Sequence, residues 1–120
     1  MAKEVNINTG VFLGGKVTLD FLITQSDDIT PQNMTGWTLT FIMRSGTNSS
    51  RFSLTKSSPS SGITIVNGSA TNDKARVSID AADTVSWPSG RASYALWRSD
   101  GTEDTPLAYG TINLINVAKQ

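Results

Sequence analysis

Apolar side chains recur at every second position along most of this chain. Val17, Leu19, Phe21 and Ile23 alternate with Lys16, Thr18, Asp20 and Thr24, and Leu22 is the one apolar residue on the polar side. A period of two belongs to a strand with one face in a core and one in water. Trp37, Leu39, Phe41 and Met43 form a second such face, opposed by Thr38, Thr40 and Arg44. Trp37 follows Gly36 at the start of this run and is expected in the core. Shorter faces follow in Phe52 with Leu54, Ile63 with Ile65, and Val77 with Ile79, the last backed by Arg76, Ser78 and Asp80. Tyr94 and Leu96 mark a strand over 91–98, and 107–117 reads as a long last strand. A further strand is expected at 4–8.

Polar, turn-forming stretches separate these runs. Ser26-Asp27-Asp28 and Thr30-Pro31 close the first long strand, and Ser45-Gly46-Thr47-Asn48 links two antiparallel ones. The segment from Ser57 to Gly62 is too polar to be expected in a core. Asn67-Gly68 and Asp100-Gly101 are favoured central pairs of type I′ hairpin turns, because both residues tolerate positive φ. Only 80–86 breaks the alternation. Asp80-Ala81-Ala82-Asp83-Thr84 favours one helical turn with Asp80 as N-cap, stopped by Pro88 and Gly90. This turn is expected to carry the chain between sheet edges, with Val85 and Trp87 plugging the end of the core. The sum is an all-β chain: an immunoglobulin-like antiparallel β-sandwich of seven to eight strands in one domain, 1–120.

Composition narrows the chemistry. Among 120 residues there is no Cys and no His. That removes disulfides, thiolate metal sites, the commonest general base and any Ser-His-Asp triad. Lys plus Arg is 10 and Asp plus Glu is 10, for a net charge of zero. A neutral chain lacks the cation surplus that nucleic acid or an anionic membrane surface requires. Ser and Thr fill about a quarter of the sequence, as suits strands joined by many turns. Met1 to Asn6 has no apolar stretch of signal-peptide length, so a soluble chain is expected.

The reactive residue types fall into no catalytic pattern. The acidic clusters, Asp27-Asp28 and Asp100 with Glu103 and Asp104, lie in expected turns, where Asp bonds to local backbone. Paired acids can bind Ca²⁺ or do acid/base work, but the second cluster lacks EF-hand spacing. No Ser lies in a nucleophile elbow. Leu13-Gly14-Gly15-Lys16 lacks the full phosphate-loop spacing and precedes a strand. The glycosylation-type triplets at Asn33, Asn48 and Asn67 are the chance matches of a Ser/Thr-rich chain. No metal or cofactor is expected. Trp97 points away from the face of Tyr94 and Leu96, so it is an outward aromatic suited to packing against a partner or a sugar. Together with Arg44, Arg76 and Arg98 it makes up the expected set of partner contacts.

One order of motifs is familiar. A strand from Gly15 to Ile23 leads to Met34-Thr35-Gly36-Trp37. Then come Val77-Ser78-Ile79-Asp80-Ala81-Ala82-Asp83-Thr84, Trp87-Pro88-Ser89-Gly90, Ser93-Tyr94-Ala95-Leu96, Asp100-Gly101-Thr102 and Ala108-Tyr109-Gly110-Thr111-Ile112. This order resembles small immunoglobulin-like virion proteins of tailed bacteriophages, and is similar to the N-terminal domains of phage baseplate upper proteins. It spans nearly the whole chain in short pieces. Met34 replaces a usual aliphatic residue, and Trp97 stands where a polar residue is common. The resemblance brings no catalytic residues.

What it implies is a structural role on a virus particle assembled in the bacterial cytoplasm, with other virion proteins of capsid or tail as partners. A stand-alone sandwich without a receptor-binding extension favours capsid decoration over a tail or baseplate adaptor. Symmetry at lattice axes then favours a homo-oligomer, a trimer or other ring. Edge strands at 4–8 and 107–117 are expected to pair with a neighbouring chain, and Val117–Gln120 to form a short arm. A different class of function is a carbohydrate-binding module, with Trp97 and either Trp87 or Tyr109 stacking on sugar rings. An enzyme would need carboxylate-only chemistry, for which the acids are poorly placed.

Overall fold

The computed structural model describes residues 3–4, 7–25, 29–45, 53–58, 62–84, 87, 90–99 and 105–115. The elements run in the order β1 (Lys3–Glu4), β2 (Ile7–Phe12), β3 (Val17–Leu22), β4 (Leu39–Ser45), β5 (Ser53–Ser57), β6 (Ile63–Val66), β7 (Lys74–Ile79), α1 (Ala81–Thr84), β8 (Gly90–Arg98) and β9 (Thr105–Ile115). The larger sheet has the order β9-β8-β4-β5, and β1 and β2 both lie on the far edge of β9. The smaller sheet has the order β3-β7-β6. Glu4 is opposite Tyr109 and Ile7 opposite Ile112, one continuous register. The first two segments thus follow one another along the same edge of β9. In immunoglobulin lettering, G-F-C-C′ faces B-E-D.

Two expectations about the edges change. β1 and β2 pair with β9 in parallel, so the sandwich is not wholly antiparallel. The cause is the turn at 13–16, which passes the chain from the larger sheet to the smaller. β2 and β3 lie in different sheets and cannot pair with each other, so β2 takes the open edge of β9. Gly14 sits at φ 75° in this turn, a conformation glycine adopts without steric cost. Leu13 N–H donates to the Ile115 carbonyl at 2.9 Å, and Gly14 N–H donates to Thr84 Oγ1 at 3.0 Å. The last strand, flanked on both sides, is not an edge.

The core follows the alternation. Leu39, Phe41 and Met43 of β4 face Leu19 and Phe21 of β3 and Val77 and Ile79 of β7, with Tyr94 and Leu96 of β8 beside them, all buried. Leu22 is exposed, as its odd phase requires. Three aromatic rings meet at the centre, one from each of β3, β4 and β8. Phe21–Phe41, Phe21–Tyr94 and Phe41–Tyr94 centroids lie 6.2, 5.5 and 5.7 Å apart. Each such pair adds about 0.5–1.5 kcal/mol beyond its buried area. Burial pushes the Tyr94 hydroxyl from its ordinary 10.0 up to about 12.

Where polar segments enter the interior, hydrogen bonds offset the cost. The Ser57–Gly62 connection, expected to stay in water, places Ser58 inside at 6% exposure. Leu39 N–H donates to Ser58 Oγ at 2.8 Å. Asn67-Gly68 does not make a two-residue hairpin, because β6 ends at Val66 and β7 begins at Lys74. The loop between them wraps around buried Asp73, which accepts from the N–H groups of Gly68 at 2.7 Å and Ala70 at 3.2 Å. A Cβ at Gly68 would stand 2.9 Å from the Asp73 carboxylate, so this glycine serves a close approach. Trp37 lies ahead of β4 and is only half-buried against the core.

The helical turn forms over 81–84 as expected, with Trp87 buried behind it, but it joins β7 and β8, inner strands of their sheets, rather than sheet edges; Val85 lies outside the described residues. Asp83 accepts from the N–H of Asp80 at 2.8 Å, the return half of a capping box. It also pairs with Lys56 Nζ of β5 at 2.8 Å. Burial alone would raise the Asp83 carboxyl, but the Lys56 hydrogen bond, the Asp80 N–H and the Lys56 charge together hold it below its ordinary 3.8.

Three outcomes are expected from this packing. Phe41→Ala should destabilise the fold by about 3–5 kcal/mol in denaturant titrations; a loss near zero would mean the rings do not hold the sheets together. Folded Tyr94 keeps its proton where the unfolded chain releases it, so this group makes stability fall as pH rises from 10.0 toward about 12. Melting curves should show Tyr94→Phe gaining on the wild type over that range, and parallel profiles would contradict the assignment. Asp83 works at the other end: its contribution is complete above pH 3.8 and is lost as pH falls through its lower folded value. Lys56→Met should cost about 1 kcal/mol near neutrality, and that deficit should shrink on acidification below pH 3.8.

Candidate functional site

The strand parity that buries Leu39, Phe41, Met43, Tyr94 and Leu96 sends their neighbours outward. On the outer face of the larger sheet, Arg44 stands opposite Ser93, Ile42 opposite Ala95, and Thr40 opposite Trp97. Ile42, Arg44, Ser93, Ala95 and Trp97 line a shallow depression of about 480 Å³. Its floor is apolar, Trp97 closes one end, and the Arg44 guanidinium stands at the other. Ala95 is also opposite Tyr109 on β9, which is 45% exposed. Tyr109 is thus a diagonal neighbour of Trp97, within reach of large side chains on one face.

The four expected contact residues do not form one site. Arg44 and Trp97 come together as described. Arg76 lies on the opposite side of the molecule, on β7, where its Nε donates to Asp20 Oδ1 at 3.0 Å. Asp20 also stands 3.9 Å from Lys74 Nζ. The Asp20 hydrogen bond and charge raise the Arg76 pKa above its ordinary value, so this cation already has a partner within its own sheet. Arg98 does not point outward with Trp97. Leu96 pairs with Ala108 but Trp97 with Pro106, so Leu107 is an extra residue on β9. The bulge lies on β9; Arg98 faces away from Trp97 because it shares the phase of Tyr94 and Leu96 and stands opposite buried Leu39. The Arg98 guanidinium lies 3.9 Å from the Trp37 ring centroid, beside a second depression of about 280 Å³ that includes Gln25, Gln32 and Thr105. It covers the part of Trp37 that the core leaves open.

Of the aromatics expected on a sugar platform, Trp87 is 8% exposed and packs in the core, which removes it. Trp97 and Tyr109 share the outer face. The acidic clusters at 27–28 and 100–104 lie outside the described residues. Among the described residues, no group of three His, Cys, Asp or Glu stands close enough to hold a metal ion, and no helix is long and apolar enough to cross a membrane.

Sequence reasoning missed Ile42, Ala95 and Arg91 as members of this face. Arg91 is exposed on β8, two residues before Ser93. All three share the phase of residues already recognised as outward, so the signal was the same alternation read one strand further.

No model of a known protein family matches this chain, and no curated protein matches it.

Among the described residues, Arg44 is exposed and has no ion-pair partner. Arg44→Ala is expected to stay within about 0.5 kcal/mol of wild-type stability, as read by chemical denaturation. A larger loss would make Arg44 a structural residue and remove it from the face available to partners.

Proposed function

We propose that this chain is a non-enzymatic structural component of a tailed-phage virion, a capsid decoration or accessory protein that binds other virion proteins. The observation that carries the reading is the division of the surface between the two sheets. On the smaller sheet, Asp20 lies between Lys74 and Arg76, so both cations of that face have an ion-pair partner. On the larger sheet, Trp97, Tyr109, Ile42 and Arg44 are presented around a shallow apolar depression. Trp, Tyr and Arg are the residue types that dominate protein interfaces. The motif order from the β3 strand to the Tyr109 segment supplies the virion context, and the sandwich is the architecture that this resemblance implies.

A tail or baseplate adaptor of the same particle would use the same face and differ only in copy number. Quantitative mass spectrometry of purified particles separates the two. Copies in a simple ratio to the major capsid protein are expected for decoration. A far smaller number would move the chain to the tail, baseplate or neck. Absence from the particles would overturn the virion reading. Trp97 beside Tyr109 is also the one arrangement that suits a sugar platform, and quenching of tryptophan fluorescence by a panel of neutral sugars would favour that reading over a protein partner.

A further inference from the structure

The outer face of the larger sheet has an electrostatic character that its partner must answer. Arg44 is opposite Ser93, and Arg91 lies two positions along the same strand, so the two arginines are diagonal neighbours on adjacent strands. Such Cβ atoms are about 7–8 Å apart. Both side chains are exposed. Neither has an ion-pair partner among the described residues, in contrast to Lys56, Lys74 and Arg76. No described outer-face side chain of β4, β5, β8 or β9 is acidic, and Glu4 of β1 lies on the far edge of the sheet, opposite Tyr109 rather than beside the arginines. The two arginines thus stand on this face with no described carboxylate paired to them.

We propose that this face docks a protein surface that presents carboxylates flanked by apolar side chains. The inference rests on the reading of the face as a protein interface and specifies its partner. The carboxylates take the forked donors of Arg44 and Arg91 in paired hydrogen bonds. The apolar groups fill the depression between Ile42, Ala95 and Trp97. A second copy placed on this face about a two-fold axis would bring four arginines together without an acid to separate them, and like charges across an interface are strongly unfavourable. Homo-oligomers of this chain therefore use other surfaces. Two arginines on a neutral chain also fall short of the phosphate neutralisation on which nucleic-acid affinity depends.

The test is an NMR titration of the isotope-labelled full chain. The probes are a short peptide alternating Glu and Leu, its Lys-for-Glu counterpart, and a short single-stranded DNA, with sedimentation to follow self-association. The Glu peptide should shift the signals of Arg44, Arg91 and Trp97. Its binding should weaken with salt and drop by about tenfold or more in Arg44→Glu/Arg91→Glu. Arg44→Gln/Arg91→Gln, which keeps polar side chains, should show an intermediate loss, and Arg76→Gln on the opposite face none. Equal shifts with the Lys peptide, no shift with the Glu peptide, tighter binding of DNA, or a dimer formed through this face would each overturn the proposal. The titration uses the isolated chain. A negative result thus removes the acidic partner, whereas membership of the particle stands or falls on copy number.

Discussion

Phe21 of β3 meets Phe41 and Tyr94 of the two inner strands β4 and β8 of the larger sheet, and the rest of the molecule is arranged around that contact. In antibody-type sandwiches the corresponding positions on strands B, F and C hold a disulfide and a tryptophan. This chain has no cysteine, so ring packing joins the sheets instead. Large rings in a close-packed interior tolerate little displacement. They fix the phase of β3, β4 and β8, and a slip of one residue in any of them would put Asp20, Ile42 or Ala95 where an aromatic ring belongs.

That constraint also determines the outer surface. With Phe41 and Met43 inward, Ile42 and Arg44 must face out, and with Tyr94 and Leu96 inward, so must Ser93, Ala95 and Trp97. The depression on the larger sheet is the reverse side of the core. Its floor is apolar because Ile42 and Ala95 are small or branched strand formers with no polar group to offer. The smaller sheet obeys the same parity but places Asp20, Lys74 and Arg76 together in ion pairs on its outer face. The sandwich thus presents one outer face whose described cations are ion-paired and one where Arg44 and Arg91 are not, beside Trp97 and Tyr109.

Strand phases could be read directly from the chain, since alternation in segments such as 17–23 and 39–43 needs no tertiary information. The helical turn at 81–84 was also legible, through Asp80, Asp83 and the stop signals after it. Sheet order was not, because pairing depends on where the chain changes sheets, and that is settled by a glycine turn and two long-range hydrogen bonds at Leu13 and Gly14. The loop after Val66 was misjudged because Asn67-Gly68 favours a tight turn locally, while Asp73 draws a longer loop around its buried carboxylate. Arg98 shares the phase of Tyr94 and Leu96 and stands opposite buried Leu39, so alternation itself argues against an outward position, and Trp37 supplies a ring for the cation to cover. The Asn67-Gly68 miss is a case of a distant partner overruling a local preference, whereas the Arg98 miss is one of phase.

The central claim is that the two faces differ in function, with the larger sheet meeting the partner and the smaller sheet meeting solvent. Hydroxyl-radical footprinting of the chain, free and on particles that carry it, tests this most directly. The account predicts strong protection of Trp97 and Tyr109 on the particle, with Leu22 on the smaller sheet oxidised equally in both states. Protection of Leu22 with Trp97 and Tyr109 still open would contradict it.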